Sequence, residues 1–171
     1  MDRLSAAFGR LLDGLMVLAC GLLLTMTLLI GADVFTRNTG LGGIAWSSEI
    51  SEDILYLLTL FSAPWLLRQG RHIRVDILLR ALPPRTGWLL EWAGDLLGLA
   101  CSLYFVWYGL SVLAASWRAG AISIKTLVTP EWWLLVPLPL AFILLAIEFV
   151  FRMRRLSAAE RAPRTDAVSA S

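Results

Sequence analysis

Charged residues are scarce in this chain. Only 16% of its 171 residues are Asp, Glu, Lys or Arg, whereas 58% are hydrophobic. Soluble domains carry about 25% charged and roughly 45–50% apolar residues, so this composition excludes an ordinary soluble domain. The basic residues flank apolar stretches and do not form one patch, and the sequence therefore predicts no nucleic-acid partner.

Histidine and cysteine are also rare. The chain has a single histidine, His72, and two cysteines, Cys20 and Cys101, which both lie within apolar stretches. One histidine cannot supply paired axial ligands to a haem or a His/Cys cluster to zinc. The two cysteines do not indicate a disulfide framework, and neither a P-loop nor a dinucleotide fingerprint occurs. We therefore expect no enzyme activity, no metal site and no cofactor.

Long stretches without charge dominate the chain instead. They predict an all-α membrane protein with four transmembrane helices, at about residues 12–34, 47–67, 92–117 and 130–151. In the fourth, Thr129 is the expected N-cap and Pro130 the first helical residue. Residues 1–155 are interpreted as one transmembrane domain, and residues 156–171 as a disordered cytoplasmic tail because they are small and polar.

The Lys and Arg residues are distributed unevenly between the loops. Twelve of the 15 precede the first span, lie between the second and third, or follow the fourth, and three lie in the other two loops. Cytoplasmic loops carry an excess of Lys and Arg. We therefore predict a multi-pass protein of the bacterial inner (cytoplasmic) membrane with both termini in the cytoplasm.

No ionisable residue falls near the middle of a predicted span. The acidic residues closest to the spans are interpreted as anchors at the membrane surface that reach toward headgroups: Asp33, Asp95, Glu131 and Glu148. Two of them have an arginine four residues later, which predicts the helical ion pairs Asp33–Arg37 and Glu148–Arg152. A transporter that works alone usually has an ionisable group within the membrane, so this distribution argues against one.

The segment from Arg68 to Leu82 combines charge with an apolar periodicity. Leucines and valines recur at positions 75, 78, 79 and 82, and polar residues at 72, 76 and 80 occupy another helical face. This pattern predicts an amphipathic helix along the membrane surface between the second and third spans. A solvated basic loop is the alternative.

Small residues recur every fourth position in the third span. Gly94, Gly98 and Ser102 form a stripe that allows close approach of two helix backbones. Packing within the chain, contact with a partner and the absence of any role are three alternatives that the sequence leaves open. Of the eight tryptophans only Trp107 lies deep in a span, and the others lie near span ends as in an aromatic belt.

Three segments resemble one known family. They are WSSEISEDIL from Trp46, the run from Arg68 through Arg71-His72-Ile73-Arg74-Val75-Asp76 to Pro83, and PEWW from Pro130. Together with Arg37 they are similar to the small membrane subunit of tripartite ATP-independent periplasmic (TRAP) transporters, over roughly residues 10–155. Ser62-Ala63 departs from the Gly-Ala pair common in the family.

The resemblance implies a non-catalytic scaffold in a three-part, sodium-driven transporter of organic acids. Its partners would be a large multi-span membrane subunit, a periplasmic substrate-binding protein and membrane lipids. A small self-contained transporter, or a structural anchor of another membrane complex, is the alternative. The residues expected at a subunit interface or the membrane surface are Arg37, Trp46, Glu49, Glu52, Arg71, His72 and Asp76.

Overall fold

Helices account for most of the chain. The structure, a computed structural model, describes residues 2–70 and 84–158. The elements are α1 (Asp2–Asn38), α2 (Ser47–Arg68), α3 (Pro84–Ala119), β1 (Ile122–Ile124), β2 (Val128–Pro130), α4 (Trp132–Leu135) and α5 (Pro137–Ala158). Four helices, α1, α2, α3 and α5, are long and apolar enough to cross a membrane, which confirms the predicted all-α membrane fold. The predicted amphipathic helix, with Arg71, His72 and Asp76, lies outside the described residues.

Helices α1 and α3 are longer than the predicted spans. They have 37 and 36 residues, about 55 Å each, whereas a hydrocarbon core is about 30 Å thick. The stretches without charge therefore predicted segments shorter than these two helices and missed the ends of the helices. Helix α1 begins at Asp2 and not near residue 12, and α3 begins at Pro84 and not near residue 92.

The predicted N-terminal cap of the fourth helix is wrong, although the fourth candidate span, Trp132–Ser157, begins close to the predicted start. Thr129 and Pro130 are not helical but belong to strand β2, which pairs antiparallel with β1 through Ser123 and Ile122. The chain then forms the single turn α4, and α5 begins at Pro137. The helical hydrogen-bond ladder is interrupted after residue 136 because Pro137 lacks the N–H that would continue it.

The long helices pack in the order α1, α2, α5, α3. Helix α1 contacts α2, α2 contacts α5, and α5 contacts α3. Helices α2 and α5 therefore lie inside the row. In the most apolar segment of each helix, 17% of the residues are buried for α2 and α5, against 6% for α1 and 11% for α3. The outer faces of α1 and α3 thus present extensive apolar surface.

Close contacts between α3 and α5 depend on glycine. A Cβ atom at Gly98 would overlap the ring of Phe149, and one at Gly109 would lie 2.8 Å from a methyl group of Leu138. Between these two points the rings of Phe105 and Phe142 stack with their centroids 4.7 Å apart. The two backbones approach closely where a side chain is missing on α3.

Candidate functional site

Arg68, the last residue of α2, connects three helices. Its guanidinium donates hydrogen bonds to the backbone oxygen (2.9 Å) and hydroxyl (3.3 Å) of Ser5 in α1. It also donates to Glu148 of α5 at 3.2 Å. A Cβ atom at Gly9 would lie 3.0 Å from this guanidinium, so the glycine provides the space in which Arg68 crosses α1.

Glu148 is completely buried, with 0% of its side chain exposed. Its carboxylate pairs with Arg68 and, through the other oxygen, with Arg155, which lies about two turns further along α5. A buried carboxylate is costly unless it is paired and hydrogen-bonded. Both oxygens of Glu148 have a cationic donor, and this pairing offsets the cost of its burial.

Arg152 forms the second half of the cluster. It lies 3.1 Å from Asp95 of α3, and both side chains are nearly buried. Its guanidinium also donates to the backbone oxygen of Leu67 at 3.0 Å, where α2 ends. This oxygen also accepts the N–H of Gly70 at 3.2 Å, and carbonyl groups at a helix C-terminus carry partial negative charge. Arg152 therefore joins α2 to α3 and α5.

We call Arg68, Asp95, Glu148, Arg152 and Arg155 the ion cluster. With Ser5 it connects all four long helices at one end of the bundle. Trp65 reinforces this end by donating from its indole to Asp13 of α1 at 2.9 Å. The contacts are those of a joint between helices, and the described residues contain no group of His, Cys, Asp and Glu that could hold a metal ion.

A second polar contact lies at the opposite end of the bundle. Glu49, in the first turn of α2, accepts backbone hydrogen bonds from Thr126 (2.7 Å) and Leu127 (3.1 Å) in the turn between β1 and β2. Glu52 and Lys125 form a solvent-exposed pair at 3.5 Å. The hairpin is thereby attached to the start of α2, although the two segments are far apart in sequence.

The loop between α1 and α2 is organised by Asp33. One carboxylate oxygen accepts from Arg37 at 2.8 Å, which confirms the predicted i, i+4 pair, and the other accepts the backbone N–H of Ile44 at 2.6 Å. The guanidinium of Arg37 covers Gly43. Trp46 precedes α2 and is 40% exposed.

Of the residues predicted for the site, those that the structure describes do not form one constellation. Glu49 and Glu52 contact the hairpin, and Arg37 contacts its own turn. In the stripe on α3, Gly98 faces α5 and Ser102 is buried, but Gly94 has open space around it.

The ion cluster was not predicted from the sequence. Asp95 and Glu148 were interpreted as surface anchors, yet both are buried. Glu148 pairs with Arg68 and Arg155, whereas Arg152 pairs with Asp95, so the predicted helical pair of Glu148 with Arg152 is wrong. The available signal was that residues of opposite charge stand at one common end of three spans, which allows pairing between helices as well as along one.

The comparison with known families agrees with this architecture. Residues 26–159 match the family model described as "Tripartite ATP-independent periplasmic transporters, DctQ component". The match covers well over half of the chain and includes every member of the ion cluster. No curated protein matches the chain. The chain therefore belongs to the DctQ family and is the small membrane component of a TRAP transporter.

Proposed function

We propose that this component is a non-catalytic scaffold that holds the large transport subunit in the membrane. The observation that supports this proposal is that its charged groups are paired within the chain. The charged groups nearest the membrane interior, Asp95, Glu148 and Arg152, contact other helices of the same chain. From residue 96 to residue 117, α3 has no ionisable Asp, Glu, Lys, Arg or His. Because each of these charges is paired with a group of another helix in the same chain, the contacts support a structural role.

The proposed transport reaction is the sodium-driven uptake of an organic acid. This part of the proposal rests on the resemblance to the family, in which the substrate and sodium sites belong to the large subunit. A periplasmic binding protein delivers the substrate, and membrane lipids surround the remaining faces. The excess of Lys and Arg in alternate loops supports placement in the bacterial inner membrane with both termini in the cytoplasm.

Reconstitution into proteoliposomes tests this function. The chain alone, the chain with the large subunit, and both with the binding protein are compared for uptake of a labelled organic acid under an inward sodium gradient. We expect uptake only in the third preparation, and none when the sodium gradient is collapsed. Uptake by the purified chain alone contradicts the scaffold role. A fourth preparation, the large subunit and the binding protein without this chain, should also show no uptake, and uptake there contradicts the requirement for this chain.

A further inference from the structure

Helix α3 has an aromatic face with polar atoms in the middle of its span. Tyr104, Trp107 and Tyr108 occupy positions i, i+3 and i+4, and 62%, 75% and 56% of their surface is exposed. This spacing places them on one side of a helix. The rings of the two tyrosines are stacked with centroids 6.2 Å apart. We call these three residues the aromatic face.

The aromatic face points away from the rest of the bundle. The residues of α3 that pack inward include Asp95, Gly98 and Ser102. At 100° per residue, the aromatic face lies on nearly the opposite side of the helix. Among the described residues, no hydrogen bond is formed by the hydroxyl groups of Tyr104 and Tyr108 or by the indole N–H of Trp107.

These polar atoms belong to residues in the middle of the third predicted span, far along α3 from its charged residues. Tyr104 lies nine residues after Asp95, and Tyr108 lies ten residues before Arg118, which is about 14 and 15 Å along the helix. Tyr and Trp favour the interface because their polar tips find partners there. Hydrocarbon chains offer no hydrogen-bond acceptor, so three donors at this depth are costly against lipid.

The outer face of α1 is a contrasting surface. Leu24 and Leu28 are as exposed as the aromatic face. The hydroxyl groups of Thr25 and Thr27 donate to backbone oxygens of their own helix, at 2.9 Å each. This face has aliphatic side chains and satisfied hydroxyl groups, and it suits lipid without a partner.

We propose that the aromatic face of α3 binds a transmembrane helix of the large subunit, which offers acceptor groups to Tyr104, Trp107 and Tyr108, while α1 faces lipid. This inference rests on the proposed function, since it requires a large subunit beside the chain. A protein helix fits the face because its carbonyl, hydroxyl or amide oxygens can accept hydrogen bonds in the membrane.

Photo-crosslinking in the complex tests the assignment. A benzophenone amino acid replaces Trp107 in one variant and Leu24 in the matched control, and each is co-expressed with the large subunit and irradiated in membranes. We expect a covalent product with the large subunit from position 107 and none from position 24. Co-purification without irradiation tests the proposed function separately.

Each other outcome overturns the inference. A product only from position 24, a product of position 107 with a second copy of this chain, or no product from either position in a complex that co-purifies refutes the assigned face and leaves the proposed function intact. If the large subunit does not co-purify with the unmodified chain, the proposed function fails, and this inference fails with it.

Removal of the hydroxyl groups provides an independent measurement. Interhelical hydrogen bonds in membranes contribute modestly, so each of Tyr104→Phe and Tyr108→Phe should weaken the association by about threefold, and both together by roughly tenfold. Tyr56→Phe, on α2, is the matched control and should have no effect. Equal association of the double variant and the parent, or an equal loss in the control, contradicts the proposal.

Discussion

Glu148 shows how single residues stabilise this bundle. Its buried carboxylate accepts from two arginines, and one of them, Arg68, lies on another helix. Removal of one partner from a buried ion pair leaves uncompensated charge and typically costs about 3–5 kcal/mol. We expect Glu148→Gln to lower the free energy of unfolding of the purified chain by an amount in this range, measured by denaturant titration in detergent micelles.

The exposed pair of Glu52 with Lys125 is the matched control. Glu52→Gln should leave unfolding almost unchanged, because solvent-exposed pairs contribute little. A double-mutant cycle of Glu148→Gln with Arg68→Gln should show coupling, with the double variant losing less than the two single losses together. Equal stability of Glu148→Gln and the parent is the result that contradicts the role of the ion cluster.

At the scale of elements, the packing of α3 against α5 depends on the absence of a side chain at Gly98. A Cβ atom at Gly98 would overlap the Phe149 ring, whereas nothing lies within 4 Å of one at Gly94. We expect Gly98→Val to destabilise the chain by about 1–3 kcal/mol, as overpacking does. Gly94→Val should be markedly less harmful, and Phe149→Leu should partly rescue Gly98→Val. Thermal unfolding in detergent measures all three, and equal effects at both glycines contradict this packing.

The hairpin of β1 and β2 is attached to α2 mainly by Glu49. Its carboxylate accepts two backbone hydrogen bonds from the turn, at Thr126 and Leu127. We expect Glu49→Ala to release the turn, so that trypsin cleaves after Lys125 several times faster, with unchanged α-helix content. Glu52→Ala should change cleavage much less, because its single contact with Lys125 is exposed. Unchanged cleavage in Glu49→Ala refutes this attachment.

At the scale of the whole molecule, the charge distribution predicts the orientation. With Cys20 and Cys101 replaced by serine, we introduce a cysteine at the exposed Leu41 in one variant and at the exposed Ser157 in another. An impermeant thiol reagent should label Leu41→Cys in cells with a permeabilised outer membrane, and Ser157→Cys only after the inner membrane is broken. The reverse pattern means that the topology is inverted.

The fold class was predictable because each span must satisfy its own backbone in lipid, and only helices achieve this within one segment. Composition and charge-free stretches therefore located the four spans. The helix ends were less predictable, since polar turns such as the start of α1 continue a helix beyond the apolar layer. The hairpin of β1 and β2 was not predicted because Pro130, in β2, also suits the first position of a helix.

The sequence by itself determined that the chain crosses a membrane, that alternate loops are basic, and that its motifs resemble the small TRAP component, because hydropathy, charge and motifs are properties of local sequence. Tertiary structure decided the partners of each charge. Glu148 had an arginine four residues away in sequence, yet it pairs with Arg68 of α2, since interhelical packing determines which donors reach a buried carboxylate. Tertiary structure also decided that α1 exposes an aliphatic face and α3 the aromatic face, because exposure depends on which sides of these helices pack inward.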